Sequence, residues 1–496
     1  MKYFVGIDVG TSGTKSVAFD ENGKIITDAY ADYELIQPKN GWAEQRPNDW
    51  KNAAFETLRQ ITSKVDANDI MGIGVSGQMH GLVLLDEKNE PLCNSIIWCD
   101  QRTANETKLI DEVIGREKYI SLTLNAPNTA FTLSKLLWVK QNMPEIYSKI
   151  HKVLLPKDYI NFCLTGEFAT DVSDAGGTGC FDVTQRKWSY EIIDAFGIDT
   201  NIFAPITESC QVVGRVNAEA SEATGLSEKT VVVGGAGDQA AAALGNGIIQ
   251  PGDMSVSLGT SGVVFSAIEK PAYDKLGRVH TFCHAVPGMW HIMGVTQGCG
   301  LSVNWYRNNF AKEFSYPQLD EQAEKVTSKG VLYLPYLMGE RTPHNDPDCR
   351  GAFVGLCASH TGANIYRAVI EGVCFSLNDC YTIMKSIGLK PNNISVAGGG
   401  AKSKLWLQIL ADVFQHDISK NENSESGARG VAMLAAVGSG FYDDISCANS
   451  KMNTSNLSKV KYDESKNQYY TSLYSLYTKL YNCLKEVNCE LSDMDF

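Results

Sequence analysis

The stretch Asp8-Val9-Gly10-Thr11-Ser12-Gly13-Thr14-Lys15 gathers an acid, two glycines and three hydroxyls at the end of an apolar run, YFVGIDV. Glycines let backbone turn sharply and approach a phosphate with no Cβ in the way. The hydroxyls of Thr11 and Thr14 and the local amides can donate to phosphate oxygens, and Lys15 can add charge. Asp8 is placed to hold Mg²⁺ directly or through water, because Mg²⁺ keeps several waters and uses few carboxylates. One such turn is equally a plain hairpin. The tetrapeptide GTSG returns, however, at Gly259–Gly262, with Thr260 as its central hydroxyl. Two matched turns facing a cleft would grip one polyphosphate from both sides. Neither is a Walker A loop or a dinucleotide GxGxxG.

Further residues could handle a small hydroxyl-bearing molecule. In Gly234-Gly235-Ala236-Gly237-Asp238-Gln239 an acid follows a glycine-rich strand end and opens an Ala-rich helix. Its plain role is a helix cap, and the helix dipole is expected to lower its pKa. Phosphoryl transfer tolerates a weak base, since the transition state is loose, so Asp238 can still orient a hydroxyl and take its proton. The segment Ser76-Gly77-Gln78-Met79-His80-Gly81 offers one apolar and two hydrogen-bonding side chains, which suits a sugar with a C–H face and a hydroxyl edge. Taken singly, His80 is as readily a structural histidine. Trp98-Cys99-Asp100-Gln101-Arg102 repeats the mixture at another strand end, with Asp100 a candidate sugar contact. Gly398-Gly399-Gly400-Ala401-Lys402-Ser403-Lys404 offers bare backbone to an adenine or ribose, or simply a strand-to-helix turn. The polar stretch GERTPHN at 339–345 has no role that its chemistry assigns.

These residues need a scaffold of strands ending at a cleft. YFVGIDV, KSVAFD and IITDAYADY read as an antiparallel meander, while IMGIGVSG alternates with helical segments such as PNDWKNAAFETLRQITSKV. Each GTSG lies between two apolar runs and opens one half of the chain, which suggests two halves of related design. Pro251-Gly252 punctuates the sequence, with a boundary expected near 246–254. The expected division is 1–246, 255–440, and a terminal helix with a polar tail over 441–496.

The 496 residues are too many for one ordinary core, and 44% hydrophobic with 20% charged residues is the balance of a globular protein. A net charge of −13 argues against nucleic acid or an anionic membrane as partner. The opening MKYFVGIDVG lacks a secretory pattern, so a cytoplasmic protein is expected, and its 14 scattered cysteines read as reduced.

Taken in order, GIDVGTSGTK, SGQMHG, WCDQR, SKLLWV, LLPKDYI, LTGE, SLGTSG, CHAVPGMWH, YLPYLMGERTPHN and GGGAKSKLW resemble the FGGY carbohydrate kinases of the actin/Hsp70/hexokinase superfamily, from about residue 3 to 440. The resemblance implies an α/β protein with two ribonuclease-H-like domains flanking a deep cleft, sugar mainly in the first and ATP mainly in the second. It implies that Asp238 is the catalytic base, Asp8 stands near Mg²⁺, and Met79, His80 and Gln239 lie near the sugar. The nucleotide residues it implies are Thr260, Gly300, Asn304, Gly400 (with its neighbour Gly399) and Lys404, with Thr11 and Thr14 near the phosphates. Gln239 and Lys404 stand where many members carry Asn. The implied substrate is a ketopentose, D-xylulose foremost, with another ketose, polyol or gluconate as the alternative. Members are often dimers, so a second copy is the implied protein partner.

Overall fold

In the computed structural model, described for residues 1–421, 425–453 and 458–494, the chain builds two seven-stranded sheets. The first begins with the expected meander, β1 (Tyr3–Val9), β2 (Gly13–Asp20) and β3 (Ile25–Asp32), paired antiparallel. Helix α1 (Pro47–Thr62) follows, started by a proline in its first turn and burying Trp50, Ala54, Leu58 and Ile61 at helical spacing. Strand β4 (Ile70–Gly77) then returns parallel to β1. Helices α2 (Thr132–Asn142) and α3 (Pro156–Thr165) come next. The sheet is completed by β5 (Val212–Arg215), β6 (Val231–Val233) and the two-residue β7 (Ala236–Gly237), which leads directly into α4 (Asp238–Gly245).

The second sheet repeats the plan. The hairpin β8 (Asp253–Leu258) and β9 (Gly262–Ile268) again encloses a GTSG turn. After β10 (His280–Cys283), β11 (Trp290–Thr296) pairs antiparallel with β9, as β3 does with β2. Helices α5 (Gly300–Phe310) and α6 (Gly362–Ser386) precede β12 (Asn393–Ala397), which runs parallel to β8 as β4 does to β1. Then come α7 (Lys404–Phe414) and β13 (Ile418–Lys420). The two halves therefore share one topology around a central strand, β1 or β8, that ends at a GTSG turn.

Two departures from the sequence reading concern the end of the chain. Helix α8 (Ser426–Gly438) comes from the second half yet lies on the first sheet. It fits there because β1 and β4 present glycines: a Cβ at Gly6 or Gly74 would overlap the carbonyl oxygen of Ala428 or Val431. The region 441–496 contains the expected terminal helix, but a short helix and a strand precede it. A short helix, Ile445–Met452, joins the core under α8, and β14 (Ser458–Val460) extends the second sheet. The 26-residue α9 (Asn467–Ser492) then buries Tyr470, Leu473 and Tyr477 against the second core. Its polar composition misled because tyrosines supply that buried face. Among the described residues no helix is long and apolar enough to cross a membrane.

Candidate active site

The two GTSG turns are held by different means. In the first, Gly10 N–H donates to Gly13 O at 3.0 Å, and neighbours stitch the loop in place. Tyr33 donates to Gly10 O (2.6 Å), Gln45 to Thr11 O (2.7 Å) and the Trp98 indole to Thr11 Oγ1 (3.0 Å). The second turn rests on the start of α5, where Gly300 and Leu301 N–H groups donate to Gly259 O (2.8 Å) and Thr260 O (3.0 Å). These helix-start amides are taken up by the turn itself, which fixes its position against α5.

Two cavities meet at that second turn. Thr260 lines one of 610 Å³, together with Gly300, Asn304, Gly399, Gly400 and Trp406. This is a nucleotide-sized hollow, and Ser403 anchors its floor by capping α7 (Trp406 N–H to Ser403 Oγ, 3.1 Å). Ser261, the next residue, lines a second cavity of 260 Å³. That volume falls below the roughly 300–1,000 Å³ of drug-sized sites and suits a small polar molecule. Met79, His80, Asp238 and Gln239 face into it from the first half of the chain, His280 and Arg341 from the second.

Asp238 is the first residue of α4, yet the helix start does not set its proton affinity. Burial first, then the nearby charge of Asp8, push its carboxyl up to about 7, against the opposing hydrogen bonds from Gln239. The expected lowering by the dipole is thus overturned, since desolvation and a like charge outweigh one helix turn. Burial first, and Glu425 in addition, raise Asp8 as well. Two crowded carboxylates form a hard-oxygen donor pair that a divalent cation would relieve. They fit an ion that takes its other ligands from phosphate oxygens and water.

Asp238 is fixed from behind. Gly237 N–H donates to Ser173 Oγ (3.1 Å), which donates to Asp171 (2.6 Å), and Asp171 pairs with the fully buried Lys157 at 2.9 Å. Burial alone would neutralise Lys157, but Asp158, Asp171 and Asp174 together keep it charged. Lys157 and Asn161 also hold Gly234 O (3.3 and 3.0 Å), so the glycine turn leading to Asp238 is clamped.

His80 has a left-handed backbone (φ 70°), a strained conformation for a non-glycine residue. It is held there by the buried Lys135 of α2, which donates to His80 O (2.8 Å) and Ala130 O (2.6 Å), while His80 Nδ1 meets Gly177 O at 2.7 Å. Burial, then the Lys135 charge, lower His80 to about 3, so the ring is neutral. Lys135 itself is lowered by burial to about 7.

Several sequence-named residues sit elsewhere. Gln78 is buried and donates to Gln45 Oε1 (2.7 Å), lining neither cavity. Asp100 is wholly buried, pairing with Arg102 (2.7 Å) and accepting Ala43 N–H (2.6 Å). At the end of β4 it is Met79, next to Gln78, that faces the smaller cavity, and near Asp100 it is Trp98, two residues back, that does. Thr14 is buried behind its turn, and Lys15 pairs with Glu425 at 2.7 Å. Lys404 is exposed on α7, while Lys402 and Ser403 line the larger cavity instead. Sequence reasoning missed His280, Phe282 and Met293 as cavity residues, while Arg341 lies in the polar segment that it placed along the cleft without a role. The polarity of GERTPHN was the one available signal.

The chain matches the N-terminal domain of the FGGY family of carbohydrate kinases over residues 3–245 and its C-terminal domain over 254–439. It is 40% identical to a xylulose kinase of Bacillus subtilis, covering 99% of each chain. Its fold is similar to a ligand-bound xylulose kinase from Lactobacillus acidophilus (29% identity, TM-score 0.93, 98% and 99% of the chains). It is also similar to a gluconate kinase from the same species (30%, TM-score 0.92, 97% and 98%). Two sheets of one design, a cleft-facing acid on α4 and a glycine turn shared between two cavities agree with these matches: the chain belongs to the FGGY family of carbohydrate kinases.

Proposed function

We propose that this chain transfers the terminal phosphoryl group of ATP to O5 of D-xylulose, giving ADP and D-xylulose 5-phosphate. The observation that carries the reading is that Thr260 and Ser261, adjacent in one turn, line the nucleotide-sized and the sugar-sized cavity respectively. A phosphate chain lying along that turn ends where Asp238 faces the smaller cavity. Asp238 orients the O5 hydroxyl and takes its proton as the phosphoryl group moves, the neutral His80 and Gln239 hold other hydroxyls, and Met79 covers a C–H face. Asp8 would hold Mg²⁺, which would supply charge neutralisation for the phosphates. The reading also implies a cytoplasmic enzyme and a homodimer.

The substrate name rests on likeness to xylulose kinases, the Bacillus subtilis one at 40% identity against 30% for the gluconate kinase. Steady-state kinetics with Mg-ATP and D-xylulose, D-ribulose, D-gluconate and glycerol test it. D-xylulose is expected to give the highest kcat/KM, and a higher value for any other acceptor overturns the assignment.

A further inference from the structure

Arg341 belongs to the GERTPHN segment, and it lines the smaller cavity together with Asp238, Gln239 and Ser261. Contacts on two sides fix its place. On one side its guanidinium carbon lies 5.8 Å from the centre of the Trp98 ring, and the Trp98 indole donates to Thr11 Oγ1 of the first turn (3.0 Å). On the other, the next residue, Thr342, exchanges hydrogen bonds with Val295 at 3.0 and 3.2 Å. Val295 pairs with Val263 of β9, one residue beyond Gly262, which closes the second turn. Arg341 therefore stands between the supports of the two GTSG turns, in the cavity that Asp238 faces.

The guanidinium has no acceptor of its own: among the described residues it makes no hydrogen bond or ion pair. Its neighbour Glu340 is occupied elsewhere, accepting the N–H groups of Gln297 (2.7 Å) and Arg341 (2.8 Å) and the Ser376 hydroxyl (3.3 Å). Burial pushes that carboxyl up to about 8, so it is mostly protonated at pH 7 and leaves the guanidinium charge uncompensated. The other cations near the turns are placed apart. Lys15 pairs with Glu425 at 2.7 Å, and Lys402 lines the larger cavity. With His80 and His280 neutral, Arg341 is the one positive side chain among the described residues that line the smaller cavity. A mostly buried charge is costly unless an opposite charge reaches it. Of the two ligands that the reading above brings here, the sugar is uncharged and the terminal phosphoryl group of ATP is the anion. A planar guanidinium can span two of its oxygens.

Resting on that reading, we propose that Arg341 is a catalytic residue that donates hydrogen bonds to the phosphoryl group as it passes from ATP to the sugar. The acceptor oxygen bonds to phosphorus, the bond from phosphorus to the β–γ bridging oxygen breaks, and ADP leaves with that electron pair. The hydroxyl proton goes to Asp238, while Arg341 keeps its own protons and stabilises the charge on the moving group. The test uses the full-length protein with R341Q and R341K. Turnover with Mg-ATP and D-xylulose gives kcat, and calorimetry gives the dissociation constants of D-xylulose and ADP. R341Q is expected to lower kcat at least about 100-fold, the low end of what one such donor supplies, with both dissociation constants within about threefold. R341K, a point charge in place of a planar fork, should restore part of kcat. An unchanged kcat overturns the proposal, and so does a loss confined to D-xylulose binding, which would put Arg341 on the sugar. If R341Q binds neither ligand, R341K decides. A kcat lowered at least about tenfold with binding kept supports the proposal, and an unchanged kcat overturns it. Should the unaltered protein prefer another of the four acceptors, the comparison is made with that acceptor and only the substrate reading fails. An unaltered protein that phosphorylates none of them overturns both.

Discussion

Gly430 of α8 and Ala241 of α4 meet so closely that a Cβ on the glycine would overlap the alanine's carbonyl oxygen. These helices come from opposite halves of the chain. Helix α4 starts at Asp238, and α8 covers β1, which carries Asp8, so the crossing couples the positions of the two cleft carboxylates. Substituting Gly430→Ala must push the helices apart. It is expected to cost about 1–3 kcal/mol in urea unfolding, the usual range for overpacking. It should also lower kcat, because misplacing a reacting group by about 1 Å can cost about 100-fold. Unchanged stability together with unchanged kcat would show that the crossing does not set the geometry.

Asp238→Asn keeps the shape of the base and removes its proton-accepting oxygen. Turnover is expected to fall about 10²- to 10⁴-fold, the span ordinarily supplied by a positioned base. Calorimetric sugar binding should remain within a few-fold. Retained turnover would mean that another group takes the proton.

Lys135→Met removes the ammonium that holds the carbonyls of His80 and Ala130, both cavity-lining residues. Release of the strained His80 backbone should raise the KM for sugar at least about tenfold, consistent with a lost charged donor. The KM for ATP, whose cavity lies elsewhere, should hold. Equal changes in both constants would point to general unfolding.

The buried His291 ring stacks on Phe265 with centroids 4.4 Å apart, and burial first, then His284, lower its pKa well below 6.5. The unfolded chain protonates this histidine near pH 6.5 while the folded chain does not. Its contribution is therefore full above that pH and drains away below it, by about 1.4 kcal/mol per pH unit. Against the unaltered protein, His291→Phe should gain about 2 kcal/mol in relative stability between pH 8 and pH 5. Urea titrations at the two pH values measure this, and an identical difference at both would contradict it.

The local parts of this site were legible. GTSG turns and the glycine-led Asp238 announce themselves because their chemistry lies within a few residues. Gln78, which lines neither cavity, sits beside Met79, which lines the smaller one, and which of them faces the cleft is decided by twist and packing at the strand end. Asp100 is instead drawn inward by Arg102. His280 and Phe282 were hidden for another reason, and Arg341 showed only the polarity of its segment. They reach the cavity only because β10, β11 and the loop beyond them fold back against the first half of the chain, a long-range arrangement with no short sequence pattern. Helix α8 crossing to the first sheet was likewise invisible, although the glycines that admit it, Gly6 and Gly74, were in plain view.

The central claim is tested most directly by identifying the product. After incubation with Mg-ATP and D-xylulose labelled with ¹³C at C5, NMR is expected to show phosphorus coupled to C5, with one ADP formed per phosphoester. Phosphorus on another carbon, or ADP with free inorganic phosphate and unaltered sugar, would contradict it.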